Sequence, residues 1–368
     1  MEDQAQNSPP VLPPARPPEG LDFWIQTWSG RLLIANAVVF VCMSLVTLRP
    51  LFESGFSGSV DWLSVIFLLP AGDVLHQFGA KDPVGLAAGE WWRFFAPMFV
   101  HIGLIHFLFN TWALKVIGWQ IERILGGPWF LATWVAAGVA GNIASAVTSV
   151  AVSAGASGAL FGLLGAGWLL ERAVGEHIRR LTGHFPGRRI YTSMIVINLV
   201  FGFVIPGIDN AAHVGGLVAG AIVTAAMLRL RNNRLHDRSP KTGFAMLFVM
   251  ASILGCGALW SSDSKRIVSR LVQRSEAATS FMEAEHFLSE AIRIEPESQD
   301  LRLSRARLWL MVKRYDQARL DLEMLMVRPD GRELVQGLAS ELRRDGFDSG
   351  SQWLIEWLET ATKDLKDL

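Results

Sequence analysis

Seven apolar runs dominate the chain: residues 31–48 ("RLLIANAVVFVCMSLVTL"), 99–118, 128–150, 157–171, 190–206, 211–228 and 243–260. A helix rises about 1.5 Å per residue and the hydrocarbon core of a bilayer is about 30 Å thick, so runs of this kind read as membrane crossings. Composition agrees, because 51% hydrophobic and 18% charged residues with a mean hydropathy of +0.30 are too apolar for an ordinary soluble enzyme of this size. Lipid offers no hydrogen bonds to a backbone, so the crossings must be helices. The expected fold class is all-α, a polytopic membrane helical bundle of a six-span core plus one extra span, followed by a small soluble helical-repeat domain.

Residues 1–22 open on "MEDQAQNSPPVLPPARPPEG", too rich in proline and too poor in large apolar groups to fold, and are expected to be a disordered tail. The core is expected over 31–235, the extra helix over 243–260 and the soluble part over 265–368. The segment "VDWLSVIFLLPAG" (60–72) is apolar but short and interrupted by proline, which suits a re-entrant or interfacial piece rather than a crossing. Cys42 and Cys256 each lie inside an apolar run and are expected to be small buried hydrophobes.

Net charge is formally zero, so basic residues carry information only through their placement. Arg172, Arg179, Arg180, Arg188 and Arg189 link the fourth and fifth runs, and Arg229, Arg231, Arg234, Arg238 and Lys241 follow the sixth. Both links belong in the cytoplasm by the positive-inside rule, whereas "SVAVSA" and "PGIDN", without Lys or Arg, belong outside. The N-terminus is then expected in the cytoplasm, and the expected location is the inner (plasma) membrane of a bacterium.

In this topology the fourth and sixth spans both run from outside to inside. Ser157 begins the fourth, and His213 lies about one turn into the sixth. Gly158 and Gly162 on one, and Ala212, Gly216 and Gly220 on the other, form stripes at spacings of four that let backbones approach closely in lipid. Such packing brings the Ser157 hydroxyl towards an imidazole able to take its proton, which makes an activated nucleophile. A serine among glycines is commonly a packing residue, and a lone intramembrane histidine can be inert. The depth match of the pair is what points to catalysis.

The second span places His106 and Asn110 four residues apart on one helix face at the same outer end. An imidazole and a carboxamide there can donate to the oxygen that turns negative in acyl transfer, and polar groups at membrane depth default to function. His101, five residues before His106, is expected to point well away from that face. Several histidines could also serve zinc, but the HExxH pair with its glutamate is absent. No metal or other cofactor is expected.

These motifs in order resemble the rhomboid intramembrane serine proteases: Trp92-Arg93, then His101, His106 and Asn110 in a second span, Gly155-Ala156-Ser157-Gly158 in a fourth, and Ala212-His213 with Gly215, Gly216 and Gly220 in a sixth. The resemblance covers roughly residues 31–230. It implies Ser157 as nucleophile, His213 as general base without an aspartate third member, and an oxyanion hole made by His106, Asn110 and the Ser157 amide. Gly155, Gly158, Phe161, His101, Trp92 and Arg93 would support them, with Phe161 stacked on His213 and Trp92-Arg93 in a partly submerged loop. Glu122 and Gly126 match the family's cytoplasmic Glu-x-x-x-Gly turn, although Arg123 stands one place earlier than the arginine of many relatives. The implied partners are transmembrane protein substrates and the lipid bilayer, not nucleic acid.

Members with only the six-span core would stop near residue 235. Here Phe281, Ala284, Leu288 and Ala291 are echoed 34 residues later by Tyr315, Ala318, Leu322 and Leu325, and Pro296 by Pro329 one place short. That period resembles tetratricopeptide helical hairpins, which implies a peptide or protein partner for the tail, although any amphipathic pair of helices can echo in this way. Two other functions compete: a rhomboid-fold pseudoprotease that holds membrane clients, usually marked by loss of the serine or histidine, and a transporter, which would want mid-membrane charges and broken helices in paired halves.

Overall fold

The computed structural model describes residues 20–54, 62–182, 185–231 and 240–364, and the chain divides into two compact units, Met1–Ser262 and Asp263–Leu368. Residues 1–19 of the expected tail and 55–61, including the start of the apolar segment at 60–72, lie outside the described residues. The first unit begins with α1 (Leu21–Gln26) and α2 (Trp28–Ser54), so ordered helix already covers the last two residues assigned to the tail. Three short helices follow, α3 (Trp62–Phe67), α4 (Gly72–Gln77) and α5 (Pro83–Ala87), and then two 3-10 turns, Trp91–Phe94 and Ala96–Phe99. At six residues each, α3 and α4 span about 9 Å and cross nothing.

The second apolar run does not form one helix from residue 99. Gly103, at φ +87°, takes a left-handed turn that glycine makes without steric cost, and α6 (Leu104–Ala113) starts only after it. A π turn over Leu114–Gly118 leads into α7 (Trp119–Leu125). Next come α8 (Gly127–Thr148), α9 (Ser157–Thr182), α10 (Arg188–Val204), α11 (Asn210–Arg231) and α12 (Pro240–Ser261). Because α9 continues past its apolar part, Arg172, Arg179 and Arg180 sit on its last turns rather than in a link. Among the described residues, Trp28–Arg49, Gly127–Thr148 and Asn210–Leu230 are long and apolar enough along their whole length to cross a membrane.

The packing is that of a membrane protein, with large apolar side chains outside and small or polar ones within. Val38, Val41, Leu108, Phe109, Val200 and Phe201 are exposed, while Asn36, Asn110, Asn142 and Thr224 are buried. A water-soluble domain would aggregate through such a coat; lipid solvates it. Cys42 and Cys256 belong to the coat, exposed rather than buried, because a helix surrounded by lipid carries its apolar residues outward as well as inward. At the other extreme Glu122, 8% exposed, accepts the Trp28 and Ser29 amides at 2.7 and 2.8 Å and the Ser29 hydroxyl at 2.7 Å, capping the start of α2.

Small residues set how near the core helices come. A side chain on Gly216 or Gly220 of α11 would run into the carbonyl oxygen of Gly158 or Gly162 of α9. On the α8 side, a Cβ on Gly141 would lie 2.6 Å from the Ala212 oxygen and one on Gly215 3.0 Å from the Ala140 oxygen. Thus α11 is pressed backbone to backbone against α8 and α9, as small-residue stripes in lipid allow.

The second unit is a series of helices, α13 (Ser264–Glu276), α14 (Phe281–Ile294), α15 (Gln299–Met311), α16 (Tyr315–Met326), α17 (Gly331–Arg344) and α18 (Asp348–Asp364). Ser280 caps α14 by accepting the Glu283 amide at 3.2 Å. The helices that begin at Phe281 and Tyr315 bury Ala284, Leu288 and Ala291 on one and Ala318, Leu322 and Leu325 on the other. Between α15 and α16 the Arg305 guanidinium grips Asp321, 1% exposed, through two 2.8 Å bonds.

Candidate active site

Ser157 is the first residue of α9, and the chain reaches it through Gly155 at φ +139°. The Gly155 amide donates to the Pro97 carbonyl at 2.9 Å, which fixes the approach. His213 lies in the first turn of α11, where its amide donates to the Asp209 carbonyl at 3.2 Å. The two side chains, 56 residues apart in sequence, meet with Ser157 Oγ 2.9 Å from His213 Nε2. Ser157 is half-buried and His213 buried.

One neighbour holds the imidazole from the side. Phe161, one turn below Ser157 on α9, stacks on it with ring centroids 4.2 Å apart and 12° between planes. His213 Nδ1 is buried without a hydrogen-bond partner. With the proton on Nδ1, Nε2 is an acceptor aimed at the serine hydroxyl, the tautomer that proton transfer needs.

His106 comes to the same place from α6. A side chain on Gly155 would lie 2.7 Å from His106 Cε1, 2.8 Å from its Nε2 and 3.6 Å from Ser157 Oγ, so the missing Cβ leaves the space between the imidazole and the hydroxyl open. Asn110, one turn further along α6, is buried with its Nδ2 unpaired, a donor of the kind an oxyanion would satisfy.

His101 is not where a continuous helix would have put it. Because α6 starts after Gly103, His101 lies in the preceding turn and its ring packs edge-on against His106, centroids 5.4 Å apart. Its Nδ1 meets the Phe99 carbonyl at 3.2 Å, and its Nε2 is buried without a partner. Arg93, 2% exposed, organises its own loop: it donates to the His76 and Ala80 carbonyls at 2.9 and 3.0 Å, pairs with Asp82 at 3.1 Å and with Glu90, and lies over the Trp92 ring. These contacts shape the loop and, Trp92 apart, involve none of the other candidate side chains. Among the described residues no three His, Cys, Asp or Glu side chains are placed to hold a metal ion.

One group beside the Ser157–His213 pair was not singled out from the sequence. Asp209 accepts the Ala212 amide at 3.0 Å and a hydrogen bond from Ser145 of α8. Partial burial pushes its carboxyl up, but the bonds from Ser145, the Ala212 amide and Ser153, with the Lys81 charge, outweigh this and hold it below its ordinary value. An aspartate just ahead of an apolar run is an N-cap signal; nothing along the chain ties it to Ser145, Ser153 or Lys81.

Comparison with known proteins agrees with this geometry. Residues 88–230, the stretch that carries Arg93, His101, His106, Asn110, Ser157, Phe161, Asp209 and His213, match a model of the Rhomboid domain. Over 155 residues, 42% of this chain, it is 46% identical to the rhomboid protease GluP of Bacillus subtilis, though the match spans only 30% of GluP's length. It is 34% identical over 199 residues to rhomboid-like protease 2 of Toxoplasma gondii, covering 51% of this chain and 66% of that one. RHOMBOID-like protein 5 of Arabidopsis thaliana is 32% identical over 234 residues, 60% of this chain and 73% of the relative. With a likeness of that extent centred on the helices that bring Ser157 to His213, the chain belongs to the rhomboid family.

Proposed function

We propose that this protein is an intramembrane serine endopeptidase that cleaves peptide bonds in or near the transmembrane segments of membrane proteins, using Ser157 as nucleophile and His213 as general base. The observation that carries this reading is the 2.9 Å contact from Ser157 Oγ to His213 Nε2, with Phe161 stacked on the imidazole. His213 takes the hydroxyl proton as Oγ attacks the scissile carbonyl. The oxyanion that forms is stabilised by the Ser157 amide, His106 and Asn110. The imidazolium then protonates the leaving amine, and water entering from the outer face hydrolyses the acyl-enzyme by the same steps. No cofactor takes part.

The protein sits in the inner membrane of a bacterium, N-terminus in the cytoplasm, and its second unit is a tetratricopeptide-like module for a peptide or protein partner. The 34-residue offset between the starts of α14 and α16 supports the latter. The test is turnover of a fluorogenic single-span substrate by the purified protein in liposomes. Ser157→Ala and His213→Ala should each abolish cleavage in a protein that still folds, because losing either member disables the shared proton transfer. Turnover like that of the wild type in either variant rejects the assignment, and a folded wild type that binds the substrate without cleaving it is a pseudoprotease.

A further inference from the structure

The Ser157–His213 contact depends on two segments that arrive separately, and one half-buried carboxylate joins them. Asp209 caps α11 twice over: its Oδ1 accepts the Ala212 amide at 3.0 Å, and its backbone carbonyl accepts the amide of His213 itself at 3.2 Å. Its Oδ2 accepts from Ser145 of α8, and the Ser153 hydroxyl beside it helps to hold the carboxyl below its ordinary value. Ser153 lies four residues before Ser157 and pairs backbone to backbone with Lys81, at 2.9 Å in both directions. The Lys81 ammonium, 1% exposed, donates to the Ser149 carbonyl at 3.3 Å and acts on Asp209 through its charge.

Opposite charges withdrawn from water contribute little net stability, since desolvation offsets their attraction, and an apolar cluster would hold the helices together as well. Directional bonds supply something that apolar packing does not, a single register of one segment on another. We propose that Asp209 is a positioning residue for the hydrolysis: bonded to Ser145 near the end of α8, beside the Lys81–Ser153 pairing, it clamps the start of α11 to the segment that delivers Ser157, and so keeps His213 Nε2 on Ser157 Oγ. It is not a third member of the dyad, because His213 Nδ1 has no hydrogen-bond partner. The inference rests on the protease reading above.

The experiment measures kcat, KM and Tm for full-length protein in liposomes with the fluorogenic single-span substrate. The variants are Asp209→Ala, Asp209→Asn and Ser145→Ala, with Glu122→Gln, which loosens the cap of α2, as a structural control. Asp209→Ala should lower kcat on the order of tens to a hundredfold, the effect of moving a reacting group by about 1 Å, while KM stays within about twofold. Asp209→Asn still caps the Ala212 amide but loses the charge facing Lys81, and Ser145→Ala loses one bond; both should lower kcat less and in the same KM-sparing way. Glu122→Gln should lose as much Tm and keep its kcat. The proposal is overturned if the Asp209 variants turn over like the wild type, or if Glu122→Gln loses kcat equally at an equal loss of Tm. Should Asp209→Ala not fold, Asp209→Asn and Ser145→Ala carry the same comparison. Turnover that Ser157→Ala abolishes but Asp209 variants retain removes this proposal alone, whereas a wild type without turnover dependent on Ser157 removes the protease reading with it.

Discussion

Alanine at Gly141 tests whether backbone packing sets the distance between serine and histidine. Gly141 lies on α8, and a Cβ there would be 2.6 Å from the Ala212 oxygen, 3.3 Å from its carbonyl carbon and 3.5 Å from its Cα. All three neighbours are backbone atoms, so no side chain can rotate out of the way. Carbon and carbonyl oxygen approach to about 3.3 Å at closest, so the Ala212 backbone must yield by about 0.7 Å. Ala212 immediately precedes His213, and 0.7 Å added to the 2.9 Å contact with Ser157 takes it to about 3.6 Å, too long for a hydrogen bond. The expected cost is about 10- to 100-fold in kcat, with about 1–3 kcal/mol of stability lost to overpacking. The assay is turnover in liposomes beside a thermal melt, for three alanine variants. Gly158→Ala places its Cβ at 3.3 Å from the same oxygen and should lose less, and Gly255→Ala on α12 meets nothing within 4 Å and should lose nothing. If Gly141→Ala keeps the kcat of Gly255→Ala, the helix contact does not set the catalytic distance.

His106→Ala and Asn110→Ala should each reduce turnover by a graded factor, on the order of tens- to hundreds-fold, because the Ser157 amide still donates; full turnover in both would place the oxyanion hole elsewhere. Asp321→Ala should destabilise the second unit by up to about 3 kcal/mol in denaturation of the full chain followed by circular dichroism, since Arg305 loses its buried counter-charge. Arg305→Met/Asp321→Leu should recover most of that loss, and a double variant as unstable as the single one would refute the account. The seven crossings expected from the sequence, with a cytoplasmic N-terminus, would put residues 265–368 outside, although the basic run Lys265, Arg266, Arg270 and Arg274 pulls them towards the cytoplasm. Cysteine at the exposed positions Met282 or Val327, in a Cys42→Ala/Cys256→Ala background, should then react with an impermeant maleimide in intact cells or spheroplasts. Labelling only after lysis would place the unit inside and make 243–260 a segment that does not cross.

What could be read without the structure is what depends on local pattern. Lipid forces the backbone to pair with itself, so apolar length alone identified helices at each run, and spacings of four marked the faces that carry Gly158 and Gly162, Gly216 and Gly220, His106 and Asn110. The meeting of Ser157 with His213 was legible for the same reason, because crossings of fixed length convert sequence position into depth. Hydropathy is blind to a left-handed glycine inside an apolar run, so the start of α6 at Leu104 and the turn of His101 onto His106 appeared only once the chain was folded. It cannot tell lipid from protein interior either, hence Cys42 and Cys256 on the outer surface. Tertiary structure alone decided the cap that Glu122 forms across 93 residues on Ser29 and the joining of Lys81, Ser145, Ser153 and Asp209. Each needs one donor and one acceptor within about 3 Å, and residues so far apart along the chain reach that distance only after packed helices have fixed the paths between them.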